Sequence, residues 1–268
     1  MKEDGKETIA MHIVKPEDMH RIAPLFEGWK ETMIDSCLQG LMGSAWTDDL
    51  EAPQSAQIVV GDFCFFAGRP DTTFIRHIPE GFSSPCILMI PGHDGWNRPI
   101  EHIYPDCEAF TRYAFQKDGC CFNCARLEQY AAALPTGYRI QQIDRLLYDQ
   151  IRRQDWAKDL CAQFPDYDHY RRNGLGFAVL HENQVVSGAS SYTYYNGGIE
   201  IEIDTHEAHR RKGLALACAS RLILTCLSRG IYPSWDAANM DSVALAQKLG
   251  YVLDKPYRAY AVSNPNRE

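Results

Sequence analysis

The sequence predicts an α/β protein in two parts, and three observations carry that prediction. Apolar residues recur at a period of two in some short runs and near 3.6 in others, so strands and helices are both present. The two periods alternate along the chain rather than segregating into blocks. A helix end followed by breakers, Ala131-Ala132-Ala133-Leu134-Pro135-Thr136-Gly137, separates a less regular first part from a more regular second one. With the boundary there, residues 1–133 form an N-terminal α/β domain and residues 134–268 a second α/β domain.

The bulk numbers restrict the classes open to the chain. Its 268 residues are 45% hydrophobic and 23% charged, enough apolar material for packed cores and too much for disorder. Met1-Lys2-Glu3-Asp4-Gly5-Lys6 has no apolar run behind it, and no segment nears the ~20 apolar residues of a membrane span, so a cytoplasmic protein is expected. A net charge of -8 weighs against nucleic acid as a partner. Most of the 10 cysteines stand singly among apolar neighbours and read as reduced small hydrophobes. The exception is Cys120-Cys121-Phe122-Asn123-Cys124, one C-x-x-C with no second pair or nearby histidine, so no metal site is expected.

In the first part, Pro16-Glu17-Asp18 opens a predicted helix that carries Met19, Ile22, Leu25, Phe26 and Trp29 on one face. A polar, glycine-containing loop should follow over residues 40–55. The runs 58–60 and 63–67, divided by Gly61-Asp62, read as two strands at a tight turn. Residues 86–90 read as a strand, and residues 106–117 as a helix with Phe110, Tyr113 and Ala114 on one face. No motif that carries chemistry is visible here.

The second part reads as a strand over 138–144, helices over 145–154 and 156–164, and a three-strand meander. The meander's last strand, Ile199-Glu200-Ile201-Glu202-Ile203-Asp204-Thr205, alternates isoleucines with carboxylates. Directly after it come His206-Glu207-Ala208-His209-Arg210-Arg211-Lys212-Gly213 and a nearly all-apolar helix ending at Arg229-Gly230. A helix start has unpaired N–H groups and partial positive charge. Gly213 lets a ligand approach the backbone, and three basic residues add charge, so a diphosphate suits the loop.

Here the sequence resembles the GNAT superfamily of N-acetyltransferases, whose diphosphate loop reads Gln/Arg-x-x-Gly-x-Gly/Ala; in this chain it is Arg210-Arg211-Lys212-Gly213-Leu214-Ala215. Thr205 falls where the family's cofactor strand ends. Pro233 sits in a strand where full pairing would not accept it, which suits the family's splayed sheet. Asn239, Ser242, Lys248, Gly250 and Tyr251 match the family's next helix. The phrases 186–191, 199–205 and 233–239 further resemble the subgroup that includes zwittermicin A resistance acetyltransferase, which would imply antibiotic resistance.

The resemblance implies a GNAT fold with a mixed, splayed sheet and acetyl-CoA as cofactor. It would lie along Ile203, Thr205, Arg210, Arg211, Lys212, Gly213, Leu214, Ala215, Asn239 and Ser242, though Asn239 also suits a plain helix cap. The acceptor would be a small-molecule amine, with Glu202 or Glu200 as general base; a solvated carboxylate row is the alternative reading of that pair. Where many members carry a tyrosine that protonates the departing thiolate, this chain has Ala246, leaving Tyr232, Tyr257, Tyr260 or water. The same departure keeps open a non-catalytic acyl-CoA sensor. The N-terminal domain, whose element order is compatible with a degenerate GNAT repeat, would shape the acceptor site or serve structure alone. The sequence does not fix an oligomeric state; a homodimer is compatible with it.

Overall fold

The computed structural model describes residues 10–117 and 122–266. The chain runs through β1 (His12–Val14), α1 (Met19–Ile22), α2 (Thr32–Leu38), β2 (Ser44–Thr47), β3 (Ser55–Val60), β4 (Phe63–Gly68), α3 (Thr72–Arg76), β5 (Cys86–Pro91), α4 (Asn97–Ile103) and β6 (Glu108–Phe115). It continues with α5 (Cys124–Ala132), β7 (Tyr138–Gln142), α6 (Arg145–Arg152), α7 (Tyr167–Asn173), β8 (Gly176–His181), β9 (Gln184–Tyr195) and β10 (Gly198–Thr205). Last come α8 (Leu214–Ser228), β11 (Tyr232–Ser234), β12 (Asp236–Ala237), α9 (Met240–Leu249) and β13 (Leu253–Ser263). Two compact units result: residues 1–111 with 258–268, and residues 112–257. The boundary therefore falls inside β6 and again inside β13, not at Leu134.

In the first unit β1, β2, β3 and β4 pair antiparallel in sequence order. Then β4 runs parallel to β5, Phe63–Phe66 against Leu88–Pro91. The edge of β5 is closed by the last part of β13, with Tyr260 opposite Met89 and Val262 opposite Ile87. Alternation in β4 explains the two-sided core. Phe65 stacks on Phe63 and meets Trp29 edge-on, while Cys64 and Phe66 join Phe74, Ile75, Trp96 and Ile100 beneath α3 and α4.

In the second unit β7, β8, β9 and β10 form an antiparallel series, and β11 adds in parallel beside β10. One face carries Phe177, Val179, Ala189, Ile199 and Ile201, packed on α8 with its buried Leu214, Cys218, Leu222 and Ile223. The other carries Ala178, Leu180 and Val185 against Leu147, Tyr148 and Ile151 of α6 and Tyr170 of α7. Among the described residues, no helix is long and apolar enough to cross a membrane.

Both units run through a similar succession: strand, two helices, three strands, helix, strand, helix, with the penultimate strand divided into β11 and β12 in the second. The closing strand of each comes from elsewhere in the chain. The second unit takes the end of β6, where Tyr113 and Ala114 pair with Ala237 and Asp236 of β12.

Several sequence expectations are corrected. Residues 106–117 hold a strand, not a helix: Arg112 and Phe115 are buried and the segment is hydrogen-bonded to β12. The helix expected from Pro16 to Trp29 is a broken helical run, α1 followed by a 3-10 turn from Ala23, because Pro24 lacks the N–H that a continuing helix would use. The loop expected over 40–55 contains β2, and the helix expected over 156–164 is only a 3-10 turn at Lys158–Leu160, with α7 following. Helix α5, assigned by sequence to the first domain, packs on α8 and buries Leu127 in the core there. Cys37, Cys64, Cys161, Cys218 and Cys226 are buried free thiols, while Cys86 and Cys107 are only half-buried and Cys124 is exposed. Cys120 and Cys121 lie outside the described residues.

Candidate active site

The second unit contains a fork in its sheet. Strand β9 follows β10 as far as Thr205, whereas β11 stays beside β10 only over Gly198–Glu200. Two residues on, Asp236 and Ala237 pair with β6 instead. From Ile201 to Thr205, the outer edge of β10 has no strand partner among the described residues. A bulge marks the parting, since Glu200 lies opposite Thr193 and Ile201 opposite Ser191, leaving Tyr192 as the extra residue. Pro233 sits in the short β11 opposite Ile199, and Tyr251 donates its hydroxyl to the Pro233 carbonyl at 2.6 Å.

Beyond the fork the chain enters the basic loop. Thr205 ends β10 with its hydroxyl bonded to Ser187 at 2.7 Å, and Ile203 lies half-buried beside it. Arg210 Nε donates to the Thr205 carbonyl at 3.2 Å. Arg211 takes a left-handed φ of 61, and its side chain is exposed. Lys212 Nζ donates to Tyr138 Oη at 3.1 Å and to the Ala208 carbonyl at 3.3 Å. Gly213 is the N-cap of α8 at φ 78, and no side chain caps that helix start. A Cβ at Gly213 would meet nothing within 4 Å, so the space in front of the helix start is open. Leu214 anchors the first turn in the core and Ala215 is half-buried. The left-handed φ favours glycine at this point.

Asn239 caps α9, its Oδ1 accepting from Ser242 N at 3.0 Å, and Ser242 Oγ accepts from Trp235 Nε1 at 3.2 Å. Both residues stand on the β12 side of the fork. Ala246 is fully buried in the core formed with Phe115, Trp235 and Tyr251, so the position has no open side.

Glu202 lies opposite Ser190, on the sheet face turned toward α6 and α7, and is half-buried. Ser190 in turn bonds Tyr170 Oη at 2.8 Å. Glu200, 3% exposed, lies opposite Ser234 at the fork. The sequence pattern did not reveal the charged cluster around it. Lys117 Nζ donates to Ser234 Oγ at 2.6 Å. Arg112 pairs with Asp236 at 2.7 Å, and Tyr257 Oη donates to Asp236 Oδ2 at 2.9 Å. Burial raises the Asp236 pKa, Arg112 opposes that rise and the charge of Glu200 adds to it. Of the three tyrosines considered as proton donors, Tyr257 is in this cluster and Tyr232 bonds the Gln116 carbonyl at 3.3 Å. Tyr260 belongs to the first unit, where burial, with its hydrogen bond to Glu101, pushes it up to about 12.

The model of one acetyltransferase family, GNAT acetyltransferase, matches residues 23–260, most of the chain. The chain belongs to the GNAT acetyltransferase family. It is 30% identical to an uncharacterized N-acetyltransferase, YdfB, of Bacillus subtilis over 244 residues, 85% of this chain and 89% of that protein. The crystal structure of a GCN5-related N-acetyltransferase-like protein from Streptococcus suis is 46% identical with a TM-score of 0.86, covering 91% of this chain and 98% of that one. A tandem GNAT protein from the clavulanic acid biosynthesis pathway shares the fold alone, at 10% identity and a TM-score of 0.53, over 96% of this chain and 100% of that one. The repeated element order of the two units is thus the tandem GNAT arrangement, and the N-terminal part is a GNAT-like half. Family membership makes the chain an acyltransferase and implies an acyl-CoA substrate and a small-molecule acceptor.

Proposed function

We propose that the chain transfers an acetyl group from acetyl-CoA to the amine of a small molecule, with the fork and basic loop of the second unit as the cofactor site. The observation that carries this reading is the coincidence of two features: β11 parts from β10 after Glu200, so that among the described residues no second strand follows β10 from Ile201 to Thr205, and α8 starts at Gly213 without a side-chain cap. The edge offers backbone groups to an amide-bearing arm, and the helix start with Arg210, Arg211 and Lys212 offers donors and charge to a diphosphate. Leu214 and Ala215 hold that helix start in place, while Asn239 and Ser242 flank the other side of the gap.

Acetyl-CoA would supply the thioester whose carbon–sulfur bond breaks as the carbon–nitrogen bond forms. Glu202, half-buried on an open part of β10, accepts the amine proton directly or through water. Glu200 is the less suitable base because it is almost wholly buried. Backbone N–H groups of β10 beyond its parting from β11 would donate to the charge that develops on the carbonyl oxygen. Tyr257 or water returns a proton to the departing thiolate, since Ala246 offers none.

The first unit does not suit a second acyl-CoA. Its parallel pair β4–β5 stays closed through Phe66 and Pro91, and Asp71 caps α3 by accepting from Thr73 N at 2.7 Å. A carboxylate there would repel a diphosphate. A role for that unit in shaping the acceptor site remains our reading, and aminopolyol antibiotics belong in the acceptor panel on the subgroup resemblance alone.

Calorimetry on Gly213→Asp tests the cofactor site. The added carboxylate should weaken acetyl-CoA binding at least tenfold, about 1.4 kcal/mol. Gly213→Asn, with a similar shape and the same φ demand but no charge, should lose less. Equal affinity for wild type and Gly213→Asp would remove the assignment. Thiol release with an amine panel then separates a transferase from an acyl-CoA sensor that binds without turnover.

A further inference from the structure

Beside the basic loop stands a group of side chains that neither the family motif nor the mechanism uses. Tyr138 of β7, His181 at the end of β8, and His206 and His209 of the loop pack together. Tyr138 and His181 have ring centroids 4.6 Å apart, His181 and His209 5.4 Å, and His206 and His209 5.9 Å. Tyr138 Oη is hydrogen-bonded to His209 Nδ1 at 3.0 Å and receives the Lys212 ammonium at 3.1 Å. The same ammonium reaches the Ala208 carbonyl, and Ala208 N donates to His206 Nδ1 at 3.3 Å. Trp156 closes the group with its ring edge-on to His206 at 5.5 Å.

These rings are not arranged as ligands of one ion; among the described residues, no group of three His, Cys, Asp or Glu is placed to hold a metal. What the geometry assembles is latent positive charge: three imidazoles and one ammonium along the loop that carries Arg210 and Arg211. The groups acting on His209 come from every side of it: Lys212 and His206 from its own loop, His181 from β8. Tyr138 faces it from β7. All three charged neighbours disfavour its protonation, as does desolvation, the largest cause, so its pKa lies below the ordinary value. The carboxylates adjacent in sequence, Glu182 and Glu207, are exposed and are not among the groups that act on it. Among the described residues, none of the groups acting on His209 carries negative charge. An anion at the loop would supply it.

We propose that His209, packed in its cluster with His181 and His206, is a protonatable flank of the diphosphate site, so that acyl-CoA binds with proton uptake and more tightly as pH falls. This rests on the cofactor reading given above. The sign follows from linkage: an anion beside an imidazole favours the charged form, so binding raises the imidazole pKa, and a higher pKa in the complex means proton uptake on binding. The uptake is largest at a pH between the His209 pKa of the free site and that of the complex. It also gives the Lys212–Tyr138–His209 chain a function. With His209 neutral, Tyr138 can donate to it while accepting from Lys212; once His209 is protonated the hydroxyl faces two donors, and Lys212 is released toward the loop.

The test is calorimetry with 3′-dephospho-CoA, whose diphosphate has no group titrating near neutrality, in two buffers of different ionisation enthalpy at pH near 6.5. The expected result is net proton uptake and a roughly two- to fivefold gain in affinity from pH 7.5 to 6. Uptake should fall in His209→Gln and in the triple His181→Gln/His206→Gln/His209→Gln variant. Binding with no net uptake by the wild type overturns the proposal and leaves the cofactor reading intact. Uptake unchanged in the triple variant, with binding retained, overturns it equally. Failure of both 3′-dephospho-CoA and acetyl-CoA to bind would overturn the cofactor reading and this proposal with it.

Discussion

Glu202 and Glu200 stand two residues apart on one face of one strand, yet their surroundings separate their roles. Glu200 lies at the closed end of the fork, 3% exposed, opposite Ser234 and near Asp236. Glu202 lies past the parting of the strands and is half-buried, and the proposed function makes it the base. We therefore expect Glu202→Gln, which keeps the shape and removes the basicity, to lower turnover by ~10²–10⁴-fold with acetyl-CoA affinity unchanged. Steady-state kinetics beside calorimetry checks it, and full turnover in both single Gln variants would make the row a structural feature only. At this scale the sequence was informative where chemistry is local. The alternation of β10, the loop Arg210–Ala215 and the cap at Asn239 are all contiguous patterns, and the structure puts the uncapped helix start, the strand end and the cap where those patterns place them. The Arg112–Asp236 pair was not legible because its partners are 124 residues apart and each looks ordinary alone.

Among the elements, β6 is the one whose local pattern points to the wrong structure. Phe110, Tyr113 and Ala114 are spaced as a helix face would be, but Phe110, Arg112 and Ala114 also fit the alternation of a strand, and a short apolar run does not decide between the two. Tertiary pairing decides it, through Tyr113 and Ala114 against β12 and through Arg112. That guanidinium is 10% exposed and Asp236 3%, so the ion pair is nearly dry. Burial works against the charge on Arg112, and Asp236 and Tyr257 more than offset it. Removing one partner leaves the other buried and uncompensated, so Asp236→Asn should cost about 3–5 kcal/mol by chemical denaturation. A cost under about 1 kcal/mol, the range of surface ion pairs, would mean that Arg112 finds solvent and β6 is held by its backbone alone. The strands and helix of the second unit from β8 to α8 were readable for the opposite reason: each has a strong period and an explicit stop, such as the left-handed Glu182-Asn183 turn or Gly230.

For the whole molecule, the division at Leu134 was reasonable from the breakers but missed how each unit is closed. The second unit needs Arg112, Phe115 and α5 from before that point: Phe115 and Leu127 belong to the same core as Leu222 and Tyr251. The first needs Ala259, Tyr260 and Val262, all at most 2% exposed. A fragment of residues 134–268 should therefore lack a cooperative unfolding transition, whereas residues 112–257 contain every strand and core residue of their unit. Circular dichroism melts of the two fragments decide it; a sharp transition in the shorter-core fragment 134–268 would show that β6 and α5 are dispensable. The shared strands also set an order in time. A protein's N-terminal part ordinarily folds first as it leaves the ribosome. Here residues 1–111 must wait for a strand beginning near residue 258, about 150 residues later, or roughly 7–30 s at ~5–20 residues per second. Through that interval the edge of β5 is open, and nascent chains on one message are close enough to find it. Chaperone occupancy during synthesis, more than the stability of the finished protein, would then govern how much of it the cell recovers.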